Sequence, residues 1–201
     1  IFRSIFFMPG VIIHELSHHF FCIIFNAKVT DVCYYNFRDS SGYVSHNRPK
    51  YLYQDVLIAT APFLLNSFLG GLIAYPTIIN KLSTLGLASL NWQDFLRIII
   101  SISIGMNAIP SKGDGLSIWN YVCESNSNFL FKLFSKLMIS PLVFLIILIN
   151  LGSSYLKIDL LYGVCVCFIG PKLIEYLIYL DSVQDFINSF NVKEEELDIF
   201  R

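Results

Sequence analysis

Long apolar segments, each close to the length of a membrane-spanning helix, dominate this sequence. A spanning helix needs about 20 consecutive, mostly apolar residues. Segments that approach that length cover residues 2–25, 56–79, 137–151 and 158–180, and a fifth, residues 95–109, is short for a full span and ends at Pro110. Charged residues make up only 14% of the chain, against about 25% in soluble proteins. The pattern predicts an all-α polytopic membrane protein with about five transmembrane helices.

The segment between the first two predicted spans has a different pattern. Residues 28–50 are polar, and they place valines and tyrosines on both sides of a turn-forming stretch, Asp39 to Gly42. That arrangement predicts a small β-hairpin, with an irregular interfacial loop as the alternative. We expect residues 1–180 to form a single integral-membrane domain. Residues 181–201 are expected to form a C-terminal cytoplasmic surface helix or tail.

Charge and cysteine content narrow the possible partners. The formal net charge is -1, so no global basic field favours nucleic acid. Five cysteines occur without a C-x-x-C pair, which indicates neither a disulfide framework nor a cysteine zinc site. Basic residues concentrate in the first and third loops, which should therefore be cytoplasmic. In the first loop these residues are Lys28, Arg38, Arg48 and Lys50.

The residues with the clearest chemical meaning are His14-Glu15-Leu16-Ser17-His18 in the first span. This H-E-x-x-H motif places both imidazoles on one face of a helix, one turn apart, which suits a zinc ion. Glu15 would then act as general base and activate a zinc-bound water. Ionisable groups inside an apolar span cost roughly 2.5 to 3.5 kcal/mol each. A metal would compensate that cost; a metal-free polar relay is the alternative.

A catalytic zinc site needs a third protein ligand, and the residues leave three candidates open. His19 lies about 140° around the helix from His14 and points elsewhere. His46 belongs to the polar loop, where a solvated histidine is the simpler interpretation. Asp114 follows Pro110 and Gly113 at the mouth of a span, although an ordinary turn or N-cap aspartate would have the same pattern.

Taken together, these motifs resemble the site-2 protease class of intramembrane zinc metalloproteases. The resemblance covers residues 8–116 and rests on H-E-x-x-H followed by N-x-x-P-x-x-x-D-G from Asn107 to Gly115. It implies that His14, His18 and Asp114 bind one Zn2+ per chain and that Glu15 is catalytic. Gly42-Tyr43-Val44 is similar to the strand-forming loop of that family. Asn66 follows Ala61-Pro62 in a loose match to its G-P-x-x-N motif, one position late.

The resemblance implies a zinc-dependent intramembrane endopeptidase. Its partners would be a membrane protein or peptide substrate and the lipid bilayer. The compact form and the lack of an organelle signal in the sequence favour a multi-pass location in a prokaryotic plasma membrane. One alternative is a non-catalytic membrane zinc-binding protein, derived from such a protease. Another is an ion or proton transporter, which would have related halves with interrupted helices in matching places. No such internal repeat is evident in the sequence.

Overall fold

The fold is mainly helical, with a small hairpin after the first helix. The computed structural model describes residues 2–124 and 128–199, and side chains within 5–124 and 128–182. The helices are α1 (Phe2–Ile24), α2 (Leu52–Thr77), α3 (Ser83–Leu85), α4 (Trp92–Met106), α5 (Lys112–Glu124), α6 (Phe129–Leu156) and α7 (Ile158–Ile199). A π-helical segment, Ile78–Leu82, joins α2 to the single turn α3.

Four helical stretches in the described part of the chain are long and apolar enough to cross a membrane. They are Ile5–Ile24, Leu52–Leu85, Phe129–Leu156 and Ile158–Ser182. Such lengths are compatible with a multi-pass membrane protein. The predicted count of five spans is not confirmed, because α4 has only 15 residues. At 1.5 Å per residue it extends about 22 Å, less than the roughly 30 Å of a hydrocarbon core.

The polar segment after α1 is a two-stranded antiparallel hairpin, as predicted. Strand β1 (Val29–Asn36) pairs with β2 (Ser41–His46), and Val32 lies opposite Val44. Valine and tyrosine favour the pleated conformation, and Ser40 closes the turn with a positive φ of 57°. The irregular loop considered as an alternative is therefore wrong.

Close contacts between helix backbones position the chemically interesting residues. A Cβ at Gly10 of α1 would overlap the carbonyl oxygen of Ser103 in α4. The Gly10 N–H donates to Ser103 Oγ at 3.2 Å, and that hydroxyl donates to the Phe6 carbonyl at 2.6 Å. The missing side chain thus allows α4 to cross directly beside α1. As a result, the C-terminal end of α4 lies next to His14.

Glycines also allow α2 and α7 to pack closely. A Cβ at Gly71 would lie 3.2 Å from the backbone of Gly170. Small residues at such crossings are typical of helix pairs in membranes, where close packing supplies much of the association energy. The tail predicted at residues 181–201 lies, beyond Ser182, outside the residues whose side chains are described.

Candidate metal centre

Two histidines of α1 and an aspartate of α5 meet in the interior of the bundle. The Nε2 atoms of His14 and His18 lie 3.1 Å apart, as expected for positions one helical turn apart. Asp114 Oδ2 is 3.6 Å from His14 Nε2, and its Oδ1 is 3.3 Å from His18 Nε2. The three potential ligand atoms all lie within 4.8 Å of one another. The fold therefore brings together residues that are about 100 positions apart in sequence.

Backbone carbonyls fix the orientation of both imidazoles. His14 Nδ1 is 2.6 Å from the carbonyl oxygen of Asn107, and His18 Nδ1 is 2.8 Å from that of Ile58. A carbonyl oxygen only accepts, so each Nδ1 must carry the proton and donate. In the neutral ring this leaves the Nε2 lone pair free. Two lone pairs and a carboxylate then converge on one point, and this donor set fits a divalent metal such as zinc.

The local structure of α5 positions Asp114. The Ser111 N–H donates to Asp114 Oδ2 at 2.6 Å, and the Asp114 N–H donates to Ser111 Oγ at 3.2 Å. These reciprocal bonds form a capping box at the start of the helix. Asp114 therefore belongs both to the capping box of α5 and to the cluster. Its helix-terminal sequence pattern is compatible with a role as a metal ligand.

The environment keeps Asp114 ionised. Burial by itself would raise the pKa of this carboxyl group. When His14 and His18 are protonated, their hydrogen bonds and positive charge outweigh burial and hold the pKa well below its usual range. An ionised carboxylate is the form that ligates a metal.

A buried amide links three helices behind the cluster. Asn66 of α2 is fully buried, and its Nδ2 donates to the Asn107 carbonyl at 3.2 Å, the same oxygen that orients His14. Ser17 of α1 donates to Asn66 Oδ1 at 3.1 Å. Outer partners of this kind fix the orientation of metal ligands. Asn66 therefore supports His14 through a shared backbone oxygen.

A cavity of about 590 Å³ opens beside the cluster. Glu15, which is only 7% exposed, lines it together with His14, His18 and Asp114. The hairpin forms another wall, along Ser40 to Val44. Glu15 thus lies next to the potential ligand atoms and faces space that a substrate could enter.

The other candidate ligands from the sequence lie outside the cluster. His19 points to β1, where its ring stacks on Tyr34 and its Nδ1 is 2.6 Å from the tyrosine hydroxyl. His46 lines the cavity without belonging to the cluster, and its Nδ1 is 3.0 Å from the Asn47 carbonyl. Asn107, the first residue of the downstream motif, also lines the cavity.

Sequence reasoning missed several residues around the site. Ser111-x-x-Asp114 is a capping-box pattern that could have been read directly. The carbonyls of Ile58 and Asn107 could not have been found, because every residue has one. Asp55 and Asp159 also line the cavity, and no motif marks either of them in the sequence.

Comparisons with known proteins identified no relative of this chain. No family model matches this chain, and comparisons with curated proteins and with solved structures gave no significant match.

Proposed function

We propose that this chain is a zinc-dependent intramembrane endopeptidase of the site-2 protease type. It would hydrolyse peptide bonds of membrane-embedded or membrane-anchored proteins, in a prokaryotic plasma membrane. One observation carries the proposal: two imidazole lone pairs and a carboxylate converge beside Glu15 in a cavity between apolar helices. This combination supplies a metal-binding donor set, a general base and space for a peptide.

His14, His18 and Asp114 would hold the zinc ion. When bound, zinc acts as a Lewis acid and lowers the pKa of a coordinated water to roughly 7. Glu15, the residue next to His14, takes up a proton from the attacking water. It then returns that proton to the amine of the leaving peptide, so the carboxylate is regenerated at the end of the cycle.

Hydrolysis within a membrane needs a local supply of water. The cavity is lined by polar groups from several elements as well as by the cluster, including Ser41, Asn107, Ser117, Asn150 and Ser153. Polar backbone and side-chain groups are tolerated at membrane depth where they line a water-filled space. This polar lining supports the proposal, because such a cavity would hold the water that the reaction requires.

The hairpin offers a binding edge for an extended substrate. In a two-stranded sheet each strand has one edge free of pairing, and part of β2 lies along the cavity. An unwound substrate segment can add to such an edge through main-chain hydrogen bonds. Val44→Pro should therefore impair cleavage while zinc remains bound, and cleavage at the wild-type rate would contradict this binding mode.

Glu15→Gln tests the proposed activity directly. The amide cannot accept the proton, so cleavage of a transmembrane peptide in lipid nanodiscs should fall by at least about 10²-fold. Zinc content, measured by metal analysis, should stay at the wild-type value. Glu175→Gln, an exposed acid on α7, is the matched control and should cleave normally.

Two outcomes would contradict the proposal. Cleavage that survives Glu15→Gln would exclude Glu15 as the general base. Full zinc loading of the wild type without cleavage of any membrane peptide would favour a non-catalytic zinc-binding protein.

A further inference from the structure

A buried carboxylate near the cluster of His14, His18 and Asp114 has an oxygen atom without a hydrogen-bond partner in the described part of the chain. Asp55, in the first turn of α2, is only 3% exposed. Among the described residues its Oδ2 has no hydrogen-bond partner. Buried polar groups almost always have partners, because an unpaired one loses its hydration without compensation. Asp55 thus has the capacity to bind a further donor.

Asp55 lies where two cavities meet. It lines the cavity of about 590 Å³ beside the metal cluster and also a smaller one of about 250 Å³. His46 and Ser117 line both cavities as well. The smaller cavity therefore adjoins the larger one, and Asp55 is at their junction.

Two helix faces extend from the cluster of His14, His18 and Asp114 to the smaller cavity. On α2, Asp55 is three residues before Ile58, whose carbonyl holds His18, so the two share a helix face. On α5, Asp114 is followed three residues later by Ser117 and four residues after that by Tyr121, a residue of the smaller cavity, so these three also share a helix face. A substrate bound at the metal cluster could extend one side chain between these faces.

The charged side chains of the smaller cavity favour a cation. Asp55 and Glu124 are the acidic residues that line it, and Arg48 and His46 are the basic ones. Arg48 is already engaged, since its guanidinium donates to the Tyr121 carbonyl and lies 4.0 Å above the tyrosine ring. The free oxygen of Asp55 is therefore available to a donor from outside the chain.

A second metal ion does not fit this place. Across the described residues, only His14, His18 and Asp114 form a group of three with ligand atoms close enough to share an ion. A lysine or arginine side chain fits better, because its long apolar stem can cross the cavity and place its charged end at the carboxylate. Membrane segments commonly carry such residues at their cytoplasmic ends.

We propose that the smaller cavity is a subsite for a lysine or arginine side chain of the substrate, with Asp55 accepting its charged group. This inference rests on the proposed function, since it assumes that a peptide occupies the cavity beside the metal cluster. The subsite would make cleavage selective for a basic residue at a fixed distance from the broken bond. Asp55 is then a residue that determines specificity.

Binding to the full-length Glu15→Gln variant in lipid nanodiscs tests the subsite separately from cleavage. The probes are labelled peptides of about 25 leucine and alanine residues, with a central Asn-Gly break and one lysine placed at successive positions after it. Each is compared with the same peptide carrying norleucine, which is apolar and of similar length. Fluorescence anisotropy should show about tenfold tighter binding for lysine at one or two adjacent positions.

Adding Asp55→Asn should remove that preference, and adding Asp55→Lys should transfer it to peptides with glutamate at the same position. Asp39→Asn is the matched control, since Asp39 is an exposed acid that lines neither cavity. It should keep the lysine preference, and every variant should keep its zinc.

Three results would overturn the subsite: equal affinity for lysine and norleucine peptides at every position, a preference that survives Asp55→Asn, or loss of zinc in that variant. Failure of the proposed function would look different. In that case the Glu15→Gln variant would bind the peptides with a lysine preference that depends on Asp55, but the wild type would not cleave them.

Discussion

Gly42 of the hairpin lies against Glu15 of α1 so closely that a Cβ at Gly42 would come 2.5 Å from Glu15 Cγ. The same Cβ would lie 2.8 Å from the Tyr34 carbonyl oxygen and 2.9 Å from that of Cys33. A Cβ does not approach non-bonded heavy atoms this closely, and the two carbonyls belong to the backbone of the paired strand. No side chain fits at position 42 unless the hairpin or Glu15 moves.

Gly42→Ala should therefore displace Glu15 and slow catalysis. A shift of about 1 Å in a catalytic group costs on the order of 10²-fold in rate, and we expect kcat for peptide cleavage to fall accordingly. Zinc content should not change, since Gly42 is not among the potential ligands. Ser45→Ala, on the same strand but outside the cavity, should leave kcat unaltered. A wild-type kcat in Gly42→Ala would show that the hairpin does not set the position of the base.

Alanine substitutions should identify the zinc ligands. His14→Ala and Asp114→Ala each remove one of three converging ligands, so both purified variants should lose zinc. His46→Ala should retain the wild-type content, because His46 lines the cavity without belonging to the cluster. Metal analysis of purified protein measures all three. Zinc that is indifferent to Asp114 would mean that the third ligand has been assigned incorrectly.

Asn66→Leu should weaken zinc binding without touching a ligand. Leucine has a similar volume but cannot donate to the Asn107 carbonyl, the oxygen that orients His14. Loss of an outer partner of a metal ligand typically costs 10- to 100-fold in metal affinity, and competition with a zinc chelator should measure a decrease of that order. Asn80→Leu, at an exposed position, is the control. Equal zinc affinity in the two variants would contradict a supporting role for Asn66.

The sequence was most informative where chemistry depends on spacing along one helix. The four-residue interval of His14 and His18 implies a shared face, and the valine and tyrosine pattern of residues 28–50 implies strands. The meeting of Asp114 with α1 could be expected only through the family resemblance, because no local pattern encodes a contact across about 100 residues. The contact of Gly42 with Glu15 and the role of Asp55 could not be predicted, since both arise from packing between elements.

The number of membrane spans could not be predicted from hydropathy alone. Residues 95–109 are as apolar as the other predicted spans, yet α4 ends at Met106 and is too short to cross a full bilayer. Hydropathy reports that a segment avoids water. It does not distinguish contact with lipid from contact with other helices. Ser101 and Ser103 of α4 are fully buried and bond to neighbouring helices, so part of this helix is covered by protein.

Asp94 connects the end of the α2 segment to the start of α4 through a buried polar network. Its carboxylate accepts from the Asn91 N–H at 2.9 Å and from Lys81 Nζ at 2.7 Å, and Thr77 and Arg97 also donate to it. The Asn91 hydrogen bond, followed by the Lys81 interaction, lowers the pKa of Asp94 to about 2. The ordinary value is 3.8, so the ionised form is favoured more strongly in the folded chain than in the unfolded chain.

This shift predicts an acid-dependent loss of stability. A carboxyl group whose pKa falls on folding stabilises the fold fully above its unfolded pKa, and that contribution disappears as the pH falls towards the folded pKa. The part due to Asp94 should therefore be complete at pH 7 and be lost between about pH 5 and pH 2. Asp94→Asn should lower Tm at pH 7, and the difference from wild type should shrink across that acid range.

Thermal unfolding in detergent, followed by circular dichroism at a series of pH values, measures this difference. All other ionisable groups are the same in both proteins, so their contributions cancel in the comparison. Asp39→Asn at the exposed hairpin turn makes the same chemical change outside the network, and its Tm should follow the wild type at every pH. If the Asp94→Asn deficit were as large at pH 2 as at pH 7, the network would stabilise the fold by packing alone, and ionisation of Asp94 would contribute nothing.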